Sequence, residues 1–225
     1  MNKVELDNVK IYNDDVLNRL PILSDKIGLV ITDPPYFVIP NGKGKDKFDW
    51  DKFDNLEQFI QFTQSWFNLL YNKLENNSFM FIFWSQKYIN EGINIFKPDR
   101  ILIWHYKNLL NTPNGDFTYD YEPIFVIKKG SPKLTKGKHS CILEYTKPQS
   151  NFVLDKAIYP TQKPYKLIED LLDIIDLDKN NYILDCFMGS GVVYDACISK
   201  GLKFIGIDKS TRSFDIVNKK IIVKN

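Results

Sequence analysis

The segment Ile183-Leu184-Asp185-Cys186-Phe187-Met188-Gly189-Ser190-Gly191, continued by a helical pattern over residues 192–200, decides the fold. An apolar run ends on a carboxylate, a glycine turn follows, and a helix begins. This is the general form of a nucleotide cradle: glycine permits a tight turn and close ligand approach, and the helix N-terminus offers free N–H groups. The spacing is G-S-G, not the G-x-G-x-x-G of dinucleotide folds, because Tyr194 stands where the third glycine would fall. Just beyond, the apolar run 204–207 ends in Asp208, a carboxylate suited to the ribose diol of a ligand lying across two strand ends. The same residues also describe a plain strand–helix turn with a capping aspartate.

Working outward, apolar runs of strand length alternate with longer helical patterns along the chain. Strands are expected at residues 9–12, 27–32, 79–84, 101–106, 124–127, 182–185 and 204–207. Helices are expected at 15–20, 56–76, 86–96, 165–175, 192–200 and 211–222. Several strands are near-continuous Ile, Leu, Val and Phe, as strands buried on both faces require. The pattern predicts an α/β protein with a mostly parallel, seven-stranded sheet and helices on both faces. Residues 37–53, rich in Gly, Lys and Asp, read as a mobile loop; residues 107–121 and 130–159 read as excursions from the sheet.

With 225 residues, 44% of them apolar, the chain buries about 70% of its unfolded surface in one core, so 1–225 is expected to be one domain. No apolar run reaches the roughly 18 residues of a membrane span, and residues 1–6 lack an apolar signal core. Three Cys without C-x-x-C spacing fit a reducing cytoplasm, with no disulfide frame. The two His stand apart from any carboxylate cluster, so no metal site is expected. Net charge is only +2, but the sum hides an asymmetry: six Lys and one acid between 128 and 147, three Lys and six acids between 163 and 185. The cationic lobe offers Lys128, Lys129, Lys133, Lys136 and Lys138 to phosphates, or is simply a solvated loop.

Two further segments bear chemistry. Asp33-Pro34-Pro35-Tyr36 follows the strand at 27–32, at the strand end where open α/β sheets bind ligands. Two prolines stiffen the turn and leave carbonyls that only accept; Asp33 and the Pro34 carbonyl suit an exocyclic NH₂, and Tyr36 supplies a ring face. A proline-rich turn ending a strand is the alternative. Tyr159-Pro160-Thr161-Gln162-Lys163-Pro164 opens the helix at 165 and sets a hydroxyl, an amide and an ammonium at its N-terminus, suited to an anion. Taken alone this is ordinary helix-start chemistry.

The three segments together resemble the S-adenosylmethionine-dependent DNA amino-methyltransferases, which methylate an exocyclic base nitrogen. D-P-P-Y resembles the family's catalytic box, D-C-F-M-G-S-G its cofactor loop, and T-Q-K-P the motif upstream of that loop. The order, catalytic box first and cofactor loop last, resembles the circularly permuted beta group, and the likeness runs from about residue 9 to 222. It implies a Rossmann-like methyltransferase fold with S-adenosylmethionine as cofactor. Asp15 would face its adenine; Asp33, Asp185, Phe187, Gly189, Ser190 and Gly191 would line it; Asp208 would hold its ribose, and Thr161 and Lys163 its carboxylate end. Trp104, Lys107 and the strand from Glu122 to Lys129 resemble later motifs. Cys186 replaces the family's usual Pro, Tyr159 its His, and Phe37 the Asn after the catalytic Tyr. No Pro-Cys dipeptide is present, which separates the chain from cytosine-C5 enzymes.

The resemblance implies direct in-line transfer to a base flipped out of double-stranded DNA, with Asp33, Pro34, Pro35 and Tyr36 as the catalytic residues. D-P-P-Y goes more often with adenine N6 than with cytosine N4. Residues 130–159 take the place of a short target-recognition region, where Asn111, Asn114, Gln149 and Asn151 could read base edges. A homodimer follows from resemblance alone, as does membership of a restriction-modification system. RNA or protein-glutamine methylation, also based on such boxes, is disfavoured by motif order. A dehydrogenase leaves two motifs unexplained, and an inactive DNA-binding relative sits poorly with an intact box.

Overall fold

A computed structural model describes residues 2–37, 52–106, 108, 117–149 and 161–224. The strands are β1 (Lys3–Glu5), β2 (Val9–Asn13), β3 (Ile27–Thr32), β4 (Leu74–Phe83), β5 (Arg100–His105), β6 (Tyr121–Lys129), β7 (Ile142–Glu144), β8 (Tyr182–Asp185) and β9 (Lys203–Asp208). The helices are α1 (Val16–Ile22), α2 (Leu56–Lys73), α3 (Ile89–Phe96), α4 (Tyr165–Asp173), α5 (Val192–Ser199) and α6 (Thr211–Lys224). They build one mixed sheet in the order β1-β2-β9-β8-β3-β4-β6-β5-β7. The block β2, β9, β8, β3, β4 is parallel, whereas β6 is antiparallel to both β4 and β5.

All seven expected strands form, and among the described residues the count is corrected to nine. The additions are β1 and β7, three residues each at the two edges; both are mostly exposed and polar or mixed, so no buried apolar run marks them. The pattern 86–96 resolves into a 3-10 turn, Gln86–Tyr88, and then α3. The expected helix 56–76 stops at Lys73, because Leu74 leaves helical geometry and pairs with Ile27 of β3. Pro123 hides the start of β6 from a periodicity reading, yet the strand runs through it.

Period-2 alternation splits the core between two faces. Phe79, Phe81 and Phe83 of β4 face the layer of α4, α5 and α6; Met80, Ile82 and the following Trp84 face α1, α2 and α3. The alternation breaks at Gly28, where the register shifts and a Cβ would stand 2.7 Å from Asn181 Cβ. The chain continues from β3 to its neighbour β4 on one side and from β8 to its neighbour β9 on the other, making the β3/β8 boundary the switch point where such sheets bind ligands.

Candidate active site

A cavity of about 320 Å³ opens at the C-terminal ends of β2, β3, β8 and β9. Its walls include Asp15, Asp33, Thr161, Lys163, Asp185, Phe187, Gly189, Ser190 and Asp208, so segments far apart in sequence meet in one place. Pro35 also lines it; Pro34, Tyr36 and Gly191 stand behind the wall.

The glycine turn is fixed by its own hydrogen bonds. Gly189 and Gly191 have φ of 46° and 74°, left-handed values that favour glycine. A Cβ on Gly191 would stand 2.5 Å from Val217 Cγ2, so α6 packs directly against the turn. Gly189 N–H donates to Asp208 Oδ2 at 2.8 Å and Ser210 N–H to Oδ1 at 2.8 Å. Lys220 of α6 donates to the Ser190 carbonyl at 2.8 Å and pairs with Asp195 at 2.5 Å. Asp185 Oδ1 accepts from the Thr32 hydroxyl (2.9 Å) and the Phe187 N–H (3.1 Å). Burial drives the Asp185 carboxyl up to about 7 against those two donors, with the Asp33 and Asp208 charges adding to it. Burial likewise raises Asp208, opposed by the N–H groups of Ser210 and Gly189. Cys186 is 1% exposed beside the Thr32 hydroxyl, and burial pushes its thiol well up, so it packs as a small apolar side chain. At the rim Asp15 caps α1 by accepting from Leu17 N–H at 2.9 Å, and Lys209 Nζ lies 3.3 Å from its other oxygen.

Asp33 carries the other half of the site. Its Oδ2 pairs with Lys163 Nζ at 2.7 Å, and its Oδ1 accepts the Tyr36 hydroxyl. Glu122, at the start of β6, lies 3.1 Å from the same Nζ and accepts from Tyr36 at 3.3 Å. Burial raises the Asp33 carboxyl; Lys163 opposes the rise and Glu122 adds to it. For Lys163, 5% exposed, burial alone would lower the ammonium, but the two carboxylates outweigh it and leave it raised. Burial first, then the Asp33 and Glu122 charges, lifts the Tyr36 hydroxyl far above its usual range. The resemblance assigns Lys163 to the carboxylate end of a cofactor; here its ammonium sits between two protein carboxylates. Phe37 has φ of 52°, unusual for a bulky residue, and is held by stacking on Phe59 (5.6 Å) and Tyr88 (5.9 Å).

The lysine candidates are not gathered here. Beside Thr32 stands Ile82 and beside that Phe125, whereas Lys128 and Lys129 pair with Phe79 and Ser78, about 10 Å further from the box. Lys129 donates to the carbonyls of Tyr71 (2.9 Å) and Leu74 (2.5 Å), closing the C-terminal end of α2. Lys133, Lys136 and Lys138 are exposed, in a stretch whose Lys133 carbonyl and Thr135 N–H bond Asp176 and Ile174 beyond the far end of α4. Residues Lys107, Asn111, Asn114, Asn151 and Tyr159 lie outside the described residues, as does most of 37–53. Trp104 is buried with its Nε1 on the Tyr145 carbonyl at 2.9 Å, and Gln149 donates to Asn108 O at 3.2 Å.

Sequence reading missed Glu122 as a partner of the box, and Phe53 and Phe62 as cavity walls. The marks on Glu122 in the sequence were a charge opening an apolar strand and that strand's resemblance to a later motif of the family, neither of which points to Asp33. Phe62 sits in a helical apolar pattern that looks the same whether it faces core or ligand. Among the described residues no helix is long and apolar enough to cross a membrane, and no group of three or more His, Cys, Asp or Glu could hold a metal ion.

A doubly wound sheet with an acidic, aromatic-lined cavity at its switch point, edged by a D-P-P-Y turn, defines a nucleotide-cofactor enzyme of the methyltransferase type. The DNA methylase family model for N6 and N4 methyltransferases matches residues 27–219. The chain therefore belongs to the S-adenosylmethionine-dependent DNA amino-methyltransferases. It is 27% identical to the type II methyltransferase M2.DpnII of Streptococcus pneumoniae, over 89% of this chain and 84% of that one. The crystal structure of the M1.HpyAVI–SAM complex superimposes with a TM-score of 0.67 at 25% identity, covering 94% of this chain and 99% of that one. The cytosine-N4-specific PvuII DNA methyltransferase shares the fold, with a TM-score of 0.73 at 16% identity over 91% of this chain and 83% of that one.

The residues present suit this cofactor. Carboxylates at Asp33, Asp185 and Asp208 line the cavity, Asp185 buried and the other two half-buried, and favour a cationic ligand that carries a diol; Phe53, Phe62 and Phe187 supply an apolar wall for an adenine ring.

Proposed function

We propose that the protein transfers a methyl group from S-adenosylmethionine to the exocyclic N6 of an adenine flipped out of double-stranded DNA. One observation carries this reading: the Asp33 carboxylate lines the cavity yet belongs to the stiff turn beside it, so one group can face both cofactor and base. When bound, the cofactor supplies an electrophilic methyl on a sulfonium. Asp33 and the Pro34 carbonyl would accept the two amine hydrogens, turning a lone pair delocalised into the ring toward the methyl. The rate gain comes from position and fixed dipoles, with no covalent intermediate. Tyr36, behind the wall with its ring edge-on to Trp84 (6.2 Å), is the stacking face for the extruded base. Asp15, Thr161, Phe187, Gly189, Ser190, Gly191 and Asp208 are proposed to hold the cofactor.

The box after β3 and the glycine loop after β8 support placing the chain in the permuted beta group. Within residues 130–159 we assign DNA contact to the stretch near Lys147, whose Nζ is 3.8 Å from Glu122 and 37% exposed, ahead of the lysines at 133–138. Because residues 130–159 are short for a region that reads sequence, two copies would pair on one site; sedimentation with and without DNA tests this.

Tritiated S-adenosylmethionine and unmethylated genomic DNA test the reaction. Label in N6-methyladenine is expected; label in N4-methylcytosine would move the assignment to cytosine, and none in either, with cofactor binding demonstrated, would end the enzyme reading. Asp33→Ala should lower transfer by at least roughly 10²- to 10³-fold while DNA binding persists.

A further inference from the structure

Asp33 has a conflict to resolve. As an acceptor for a base amine it must turn a lone pair toward the cavity, but each oxygen already accepts one hydrogen bond from the protein, Oδ1 from the Tyr36 hydroxyl and Oδ2 from Lys163, and these hold the carboxylate's orientation. A buried hydroxyl or ammonium that loses its acceptor without finding another is destabilised, so reorienting Asp33 toward the amine is favoured by a second acceptor in reach. The fold supplies one. Glu122 lies on the antiparallel strand β6, entering the sheet beside the box, with its side chain only 12% exposed. Its Oε2 is 3.3 Å from the Tyr36 hydroxyl and 3.1 Å from Lys163 Nζ, so both donors that occupy Asp33 already lie beside it.

We propose that Glu122 is a positioning residue for methyl transfer: it takes the Tyr36 hydroxyl and shares Lys163 when the base amine enters, freeing Asp33 Oδ1 to accept from the substrate. The proposal rests on the methyltransferase reading above. No bond is made or broken in this step; one hydrogen bond is handed from Asp33 to Glu122. Lys163 stays between the two carboxylates throughout, which keeps their like charges apart. The rings of Tyr36 and Phe83 lie 5.3 Å from Nζ and Trp104 5.9 Å, an aromatic collar that holds the ammonium in place. Lys147 at 3.8 Å from Oε1 is the outer partner of Glu122.

The test compares Glu122→Gln, Tyr36→Phe and the double variant at saturating DNA and cofactor. Glu122→Gln is expected to lower kcat by about 10- to 100-fold and leave cofactor Kd within about twofold. Tyr36→Phe keeps the ring and removes the hydroxyl that must be handed over, so in that background the Glu122→Gln loss should shrink to a few-fold. The charged groups facing Asp33 are Lys163, Glu122 and Asp185, with the Tyr36 hydroxyl; removing the Glu122 charge should move the acid limb of the kcat–pH profile to lower pH. A merely structural glutamate would leave that limb in place. If Glu122→Gln does not bind cofactor, Glu122→Asp carries the same comparison, its loss again shrinking in the Tyr36→Phe background. Unchanged kcat, equal losses in both backgrounds, or an unmoved acid limb would each overturn the proposal alone. A wild-type protein that binds cofactor but methylates no DNA overturns both the proposal and the reading beneath it.

Discussion

Asp185 lines the cavity proposed for the cofactor, and its burial ties stability to pH. Its carboxyl rises from 3.8 to about 7 through burial. A carboxylate raised in the folded state favours folding most below its unfolded value and loses that contribution as pH climbs to the folded value. For this group, stability without ligand should fall between about pH 4 and 7, and Asp208 and Asp33, both raised, act in the same direction. Cofactor affinity should run the opposite way, since a cationic ligand wants the ionised form: Kd should worsen as pH drops below 7, by up to about tenfold per unit. Calorimetric titration from pH 5.5 to 8.5 checks it, and Asp185→Asn should flatten the dependence. Such behaviour is invisible in the linear chain, where Asp185 is one of 28 acidic residues. Asp33 differs in that its neighbours Pro34, Pro35 and Tyr36 announce it.

Among elements, the glycine turn and the end of α2 make separable claims. Gly191→Ala adds a Cβ at 2.5 Å from Val217 at a φ of 74°, so both strain and a clash oppose it. Gly201→Ala also has positive φ, 65°, but open space. The first should cost about 2–4 kcal/mol and the second about 1 kcal/mol, read as melting temperatures that differ by several degrees. Lys129→Ala should lower stability by about 1 kcal/mol through the α2 carbonyls it leaves. The salt dependence of DNA affinity should not change; a slope reduced by nearly one unit would return Lys129 to phosphate contact. Among the described residues, the six helices and seven of the nine strands were legible because apolar patterning over 4–18 residues reports burial. Two edge strands and the start of β6 were not, since exposed three-residue strands bury little and Pro123 interrupts the run.

For the molecule as a whole, the cavity joins four strand ends, and its filling should be felt globally. Cofactor at about 100 times its Kd should stabilise the fold by about 2.7 kcal/mol, a rise of roughly 5–10 °C in melting temperature by differential scanning fluorimetry at pH 8. No shift would place the ligand elsewhere. The near-neutral charge of +2 meanwhile decides little, because it sums a lysine-rich stretch at 128–147 and an acidic one at 163–185, which the fold packs together where Thr135 N–H and the Lys133 carbonyl bond Ile174 and Asp176.

By itself the sequence determined the class of fold, the glycine turn, the D-P-P-Y box and their order, since each is written in neighbouring residues whose local chemistry needs no partner. Tertiary structure alone decided that Lys163 faces Asp33 across 130 positions, that Glu122 joins them, and that Lys128 and Lys129 lie toward the opposite end of the sheet from the box. Strand direction and register set these, and they depend on how the whole sheet buries its two faces.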